Sequence, residues 1–194
     1  MKPEQLAHAV AAAHELAAST RDVLANWVAQ NSFTGNREGC QAMAALLERD
    51  FAPLGWRVER RHGGGDGCGD HLAWFSPAWE PSPARRVVLI GHHDTVFPPG
   101  TFEGYGEATS MHGPIARGPG VLDMKGGCFV MRCALLALRQ AQLLQALPLA
   151  MVSVADEETG SRDSATWVQG LARGATAALV FESGRRGDRV VVAR

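Results

Sequence analysis

The chain has 194 residues, 46% of them hydrophobic and 20% charged, which is the composition of a globular protein with room for one sizeable core. Its formal net charge of −1 gives no electrostatic case for binding nucleic acid or an anionic membrane, and no apolar run approaches the roughly 20 residues that span a bilayer. The polar N-terminus lacks the pattern of a secretory signal, so we expect a cytoplasmic protein.

The N-terminal third of the chain predicts helices followed by a strand. Residues 3–30 are rich in alanine and favour one or two helices. Asn36 is placed to cap a further helix that runs to about Asp50, and Gly55 closes it. Residues 56–61 then alternate between apolar and polar side chains as a strand does.

A glycine-rich tract at residues 62–70 predicts a surface turn before a second strand, His71–Phe75. The tract has no GxGxxG fingerprint between a strand and a helix, and the chain has no GxxxxGK, so nucleotide binding by either route is disfavoured.

The four cysteines form no CxxC pair, and we expect them to be reduced thiols. They are Cys40, Cys68, Cys128 and Cys133.

Three further apolar runs predict strands that are covered on both faces. Residues 86–90 lead into Gly-His-His-Asp, residues 147–155 into Asp-Glu-Glu, and residues 177–181 into Glu-Ser. Helical stretches at 124–142 and about 161–173 separate these runs. Strands that alternate with helices predict an α/β fold, with a mostly parallel or mixed sheet flanked by helices. Ligands of such sheets bind beyond the carboxyl ends of the strands.

His92 ends the first of these runs, and Asp94 follows it two residues later. Residues i and i+2 of an extended chain face the same side, so Asp94 can reach the ring of His92. An imidazole that binds a metal needs its other ring nitrogen held by an acceptor, commonly a carboxylate. The pair therefore predicts a metal ligand with its own orienting group at the end of a buried strand.

Other acidic positions allow more than one interpretation. Asp123 can cap the helix that follows it or can bridge two metal ions, and the two roles are compatible. The acidic triplet at 156–158 can be a solvated loop face, or one glutamate can bind a metal while its neighbour acts as a base. Glu182 is the third acid at a strand end. With His92, these carboxylates suit a pair of divalent ions, most simply zinc, with cobalt or manganese as alternatives.

Three segments resemble the metal-site motifs of the glutamate carboxypeptidase, acetylornithine deacetylase and succinyl-diaminopimelate desuccinylase family. They are Gly-His-His-Asp-Thr-Val, Gly-Pro-Gly-Val-Leu-Asp-Met-Lys-Gly-Gly and Asp-Glu-Glu-Thr-Gly-Ser, in the family's order. The Gly-Pro-Gly before Asp123 and the Thr-Val-Phe after Asp94 make the chain most similar to the glutamate carboxypeptidase branch. The resemblance implies a zinc-exopeptidase-like catalytic domain, of which residues 1–194 would form the N-terminal portion.

The resemblance also implies a ligand set for two metal ions. His92 and Glu182 would bind one ion, Glu158 would bind the other, and Asp123 would bridge them. The peptide bond after Asp123 would be cis. His93 matches a variable position of the motif and receives no role.

Two further residues would take part in the chemistry that the resemblance implies. Asp94 would orient His92, and Glu157 would act as the general acid and base. Glu157 would take a proton from the attacking water and return it to the leaving amine. The expected substrates are N-acyl amino acids or peptides with a free carboxylate.

Members of this family are usually much longer than this chain. After a strand like residues 189–193, they continue into a lid and dimerisation domain and a return segment. That return segment supplies a second metal-binding histidine, and His112 and the earlier histidines lie in the wrong segments to replace it. We therefore expect little or no hydrolase activity from this chain alone, and a homodimer for the full-length form. The alternative is a non-catalytic metal- or partner-binding module that ends at Arg194.

Overall fold

The computed structural model describes residues 2–65, 68–80, 85–111, 113–184 and 191. Of the predicted features, His112 and the strand at 189–193, apart from Val191, lie outside these residues. The helices are α1 (Pro3–Ser19), α2 (Arg21–Ala29), α3 (Arg37–Phe51), α4 (Lys125–Gln140) and α5 (Ala165–Ala172). The strands are β1 (Arg57–Arg61), β2 (His71–Phe75), β3 (Val87–His92), β4 (Gly106–Ser110), β5 (Gly113–Arg117), β6 (Leu149–Val154) and β7 (Ala177–Val180).

Five of the strands form a mixed sheet in the order β1-β2-β6-β3-β7. Strand β3 pairs in parallel with β6 and β7, whereas β2 runs antiparallel to both β1 and β6. This sheet and its flanking helices confirm the predicted α/β fold. The register places His92 opposite Val154 and Ile90 opposite Val180, so β3, β6 and β7 end at the same edge of the sheet.

The two faces of the sheet bury separate apolar clusters. The larger cluster lies under α2, α3 and α4, and the smaller lies under α5. All six residues of β6 are buried, because this strand has neighbours on both sides and helices over both faces. The largest buried side chains of the first cluster are Trp27, Met43, Leu47, Phe51, Leu72, Trp74, Met124, Met131, Leu135, Leu144 and Met151.

The predicted start and end signals of α3 are present in the structure. Asn36 Oδ1 accepts a hydrogen bond from the backbone N–H of Gly39 at 3.1 Å. Gly55 follows a short 3-10 turn in a left-handed conformation, with φ of +66°, which side chains with a Cβ rarely adopt. The predicted helices at 3–30 are α1 and α2, separated at Thr20.

The structure corrects the expectation that the run at 177–181 is covered on both faces. Strand β7 lies at the edge of the sheet, and Leu179 and Val180 are 48% and 58% exposed. Strand β1 lies at the opposite edge, and all five of its residues are exposed in spite of the alternating pattern. The strand predicted at 56–61 is thus present as β1, and only the expected cover of 177–181 is wrong, because local sequence shows apolar content but not which strand becomes an edge.

Two more findings depart from the sequence expectations. Strands β4 and β5 pair as an antiparallel hairpin outside the main sheet, and no pattern predicted it. The glycine-rich tract is not wholly a surface turn, because Cys68 and Asp70 are buried.

All four cysteines are buried free thiols. Within the described part of the chain, none of the helices has the length and apolar character needed to cross a membrane.

Candidate metal centre

The carboxyl edge of the main sheet brings three of the predicted acidic residues close to the Nε2 nitrogen of His92. His92 Nε2 lies 2.9 Å from Asp123 Oδ1, 3.4 Å from Glu182 Oε1 and 3.8 Å from Glu157 Oε2. His92 ends β3, Glu157 follows β6, and Glu182 follows β7. Asp123 reaches the same place from the turn before α4. The parallel strands therefore deliver side chains from distant parts of the chain to one point.

The ring of His92 is buried and held in one orientation. Its Nδ1 lies 3.2 Å from Oδ1 of Asp94 and 3.1 Å from the carbonyl oxygen of Asp94, so both neighbours are acceptors. Burial lowers the pKa of His92, but the hydrogen bond and charge of Asp94, with Glu157 and Glu182, outweigh it and raise the pKa to about 9. With the proton on Nδ1, Nε2 is the nitrogen left to bind a cation.

The Asp94 carboxylate has no exposed surface and accepts hydrogen bonds on both oxygens. Besides the His92 ring, its Oδ1 accepts from the backbone N–H of Glu157 at 3.3 Å. Its Oδ2 accepts from the Thr34 hydroxyl at 2.8 Å and from the backbone N–H of Glu158 at 3.1 Å. Burial alone would raise the pKa of Asp94, but the bonds and charge of His92 and the bond from Thr34 lower it. Asp94 is therefore a satisfied buried anion.

Asp123 does not cap α4, contrary to one of its two interpretations. The residue at the N-cap position is Met124, which makes no side-chain capping bond, while Asp123 Oδ1 faces His92 Nε2. The Asp123 side chain is 58% exposed. The peptide bond between Asp123 and Met124 is cis, as the family resemblance implied.

Glu157 and Glu158 begin a short 3-10 turn directly after β6. Their backbone N–H groups point toward Asp94, which fixes the turn against the His92 strand. Partial burial and the nearby charge of Asp123 raise the pKa of Glu158 to about 7, against the opposing effect of His92. Glu158 is therefore more readily protonated than an exposed glutamate.

Two buried groups next to the site have structural roles. His93 is fully buried, its Nδ1 lies 2.9 Å from the Ser153 hydroxyl, and burial lowers its pKa to about 3, so its ring is neutral. Lys125 donates from Nζ to the carbonyl oxygens of Trp27 at 2.9 Å and Gln30 at 2.8 Å. Lys125 thereby ties the start of α4 to the end of α2. Sequence reasoning assigned neither contact.

The donor set fits a divalent metal ion. His92, Asp123 and Glu182 each offer a ligand atom, and these atoms lie within 4.8 Å of one another. One imidazole with several carboxylates is a ligand set for zinc, cobalt or manganese. Burial first, and then the charges of neighbouring carboxylates, raise the pKa of Glu158 and of Glu182, and a bound cation would favour the ionised form of both.

The sequence of the chain is similar to those of known peptidases. Residues 88–192, more than half of the chain, match the family described as Peptidase family M20/M25/M40. Carboxypeptidase G2 of Pseudomonas sp. (strain RS-16) is 30% identical over 155 residues, which cover 80% of this chain and 36% of that protein. This chain therefore spans about a third of the length of that curated relative.

Solved structures show the same fold. Human carnosine dipeptidase 1 superposes with a TM-score of 0.70 at 17% identity, covering 93% of this chain and 41% of that chain. The di-peptidase Dug1p from Saccharomyces cerevisiae superposes with a TM-score of 0.71 at 14% identity, covering 90% and 40%. The metallo-carboxypeptidase Sso-CP2 from Sulfolobus solfataricus has a TM-score of 0.64 at 14% identity, covering 88% and 39%.

Proposed function

The chain belongs to the peptidase family M20/M25/M40, and from that premise we propose that it is the N-terminal portion of the catalytic domain of a di-metal hydrolase. The reaction would be hydrolysis of an amide bond in an N-acyl amino acid or peptide, as in a glutamate carboxypeptidase. The convergence of Asp123, Glu157 and Glu182 on His92 Nε2 carries this proposal. That arrangement supports a cation site, with Glu157 beside it as a base, at one edge of the sheet.

We assign four residues to the metal ions. His92 and Glu182 would hold the first ion, Glu158 would hold the second, and Asp123 would bridge them. Zinc suits this set best, and cobalt or manganese is the alternative. When bound, such ions lower the pKa of a nearby water and polarise the carbonyl of the scissile amide.

Glu157 is the proposed general base and acid. Its side chain is about half exposed, with Oε2 3.8 Å from His92 Nε2. Its backbone is held by Asp94 through the Glu157 N–H. Glu157 takes a proton from the attacking water and transfers it to the leaving amine when the C–N bond breaks. Asp94 keeps the His92 ring turned toward the site throughout.

Other parts of the active site would lie beyond Arg194 in a longer polypeptide. The relatives are two to three times as long as the region they share with this chain, as coverage of 36% to 41% shows. We propose that a lid and dimerisation domain and a return segment supply the second metal-binding histidine. They would also supply the groups that hold the substrate carboxylate. The full-length form would then be a cytoplasmic homodimer.

Two measurements test this function. The coding sequence downstream of Arg194 is expected to continue in frame through an inserted domain to a histidine at a strand end. The longer product with zinc is expected to hydrolyse N-acyl glutamates, and Glu157→Gln is expected to abolish turnover while zinc stays bound. Zinc-dependent turnover by the 194-residue chain alone would contradict the division of the site. A stop codon at Arg194 would favour a non-catalytic metal- or partner-binding module.

A further inference from the structure

A second buried polar cluster lies beside the candidate metal centre, around His71. His71 begins β2 and has no exposed surface. Its Nδ1 accepts a hydrogen bond from the backbone N–H of Ala155 at 3.1 Å, and its Nε2 lies 2.9 Å from Oδ2 of Asp163. Because β2 is antiparallel to β6, the start of β2 lies beside the end of β6, where Glu157 and Glu158 follow.

Further hydrogen bonds, made by Asp156 and Asp163, link the two ends of the segment 155–164. Asp156 is buried, and its Oδ2 accepts from the backbone N–H groups of Asp163 at 2.8 Å and Ser164 at 3.1 Å. The carbonyl oxygen of Asp156 accepts from the N–H of Ser161 at 2.9 Å. Asp163 Oδ2 also accepts from the N–H of Gly64 at 2.8 Å, which ties the segment to the glycine-rich tract.

The tautomer of His71 decides against a metal ion in this cluster. Cys68 Sγ lies 3.9 Å from His71 Nε2, and Cys68, His71 and Asp163 offer three potential ligand atoms within 4.8 Å of one another. A metal-bound imidazole donates its other N–H to an acceptor. His71 Nδ1 instead accepts from the N–H of Ala155 at 3.1 Å, with the nearest carboxylate oxygen, Oδ1 of Asp156, farther away at 4.0 Å. The proton is therefore on Nε2, which donates to Asp163. His92 shows the opposite arrangement, with acceptors at Nδ1.

The cluster is not a nucleophilic site either. Burial, followed by the charges of Asp156, Asp163 and Asp94, raises the pKa of the Cys68 thiol to about 11. His71 Nε2 already carries a proton and cannot take one from that thiol. Instead, His71 makes one hydrogen bond to each end of the loop at 155–164, at Ala155 and at Asp163.

We propose that His71 is a positioning residue for Glu157 and Glu158. His71 fixes the loop at Ala155 and at Asp163, while Asp94 holds the turn between these points. The loop is thereby anchored on both sides, and the two glutamates cannot move away from the His92 strand. The positioning role rests on the proposed function for what the two glutamates do. The loop anchoring itself rests only on the hydrogen bonds.

Three variants separate the two contacts of the imidazole. His71→Asn retains an acceptor near the Nδ1 position for Ala155 but cannot reach Asp163. His71→Gln retains a donor near the Nε2 position but loses the acceptor for Ala155. His71→Leu removes both contacts, and His14→Leu, at an exposed histidine of α1, is the matched control.

The first readout is hydrogen exchange in the metal-free chain. In His71→Leu we expect the amides of residues 155–164 to exchange about tenfold faster or more, as loss of a buried hydrogen bond predicts, while those of β3 are unchanged. His71→Asn and His71→Gln should give intermediate rates. Unchanged exchange in His71→Leu, or equal acceleration throughout the chain, would overturn the proposal.

The second readout is zinc titration against a chromophoric chelator. Loss of a supporting partner typically lowers metal affinity about 10–100-fold. We expect this loss only at the second ion, measured in the longer polypeptide that carries its histidine, with the first ion within about threefold of wild type. Equal loss of zinc affinity at both ions would overturn the positioning role. A fall of one in the number of zinc ions bound per chain would also overturn it, because the cluster around His71 would then itself bind zinc. If the wild-type chain binds no zinc, the proposed function fails, and the exchange rates still decide whether His71 anchors the loop.

Discussion

The backbone N–H of Glu158 donates to Oδ2 of Asp94 at 3.1 Å, so the carboxylate that orients His92 also holds the loop after β6. One buried side chain thereby fixes two elements of the candidate site relative to each other. Asp94 is the partner of the imidazole, but three of its four donors come from elsewhere: Thr34, Glu157 and Glu158. This arrangement explains why a short sequence motif can organise a site that spans most of the chain.

Asp94→Asn tests this dual role. An amide in place of the carboxylate puts an NH₂ group against at least one of the donors, so one buried hydrogen bond becomes a clash of donors. We expect the metal-free chain to lose about 1–3 kcal/mol of unfolding free energy and zinc affinity to fall about 10–100-fold. Thr34→Val removes one donor only and should cost about 1 kcal/mol with little change in zinc affinity. Equal effects of the two variants in chelator competition and urea unfolding would count against the dual role.

Zinc binding should release protons at neutral pH. The pKa of His92 is raised to about 9, so His92 is protonated at pH 7 in the metal-free chain, and Glu158, with a pKa of about 7, is half protonated. Both must lose their protons to bind metal, so filling both positions at pH 7 should release between about one and two protons. Zinc affinity should therefore rise as pH rises toward 9. Calorimetry in buffers of different ionisation enthalpy measures this number, and a value of zero would refute it.

Gly127 in α4 should not tolerate a side chain. A Cβ at Gly127 would overlap the carbonyl oxygen of Phe181, which immediately precedes Glu182. Alanine normally stabilises a helix by about 1 kcal/mol relative to glycine, so Gly170→Ala in α5, where a Cβ meets nothing, should raise the melting temperature. Gly127→Ala should lower it and weaken zinc binding by displacing Glu182. Stabilisation by both variants would contradict the close approach of α4 and the β7 end.

Much of the site could be predicted because it follows from strand topology. His92, Glu157 and Glu182 each follow an apolar run, and the carboxyl ends of parallel strands must meet at one edge. Asp94 was predictable from its spacing to His92 alone. Local sequence could not decide whether Asp123 caps α4, because a carboxylate before a helix suits both capping and metal binding. The structure rules out the cap, and the bridging of two ions stays a proposal.

The remaining features depend on contacts that local sequence does not record. Thr34 donates to a carboxylate 60 positions later in the chain, and no periodicity marks that pairing. The position of β7 at an open edge likewise depends on the order of strands in the sheet and not on its apolar sequence. His71 begins an apolar strand directly after Asp70, a signal that indicates burial but not the tautomer. Its partner Asp163 lies 92 positions away.

We propose that His92, Asp123 and Glu182 hold a divalent metal ion, and the zinc affinity of Glu182→Gln shows whether they do. Burial raises the pKa of Glu182, so a neutral amide there should leave the metal-free fold stable. Glu38→Gln, at an exposed position in α3, is the control. We predict that chelator competition shows zinc bound by wild type and by the control, and an affinity at least about a hundredfold lower in Glu182→Gln, since losing a ligand costs more than losing an outer partner. Equal zinc affinity in all three proteins would contradict the claim.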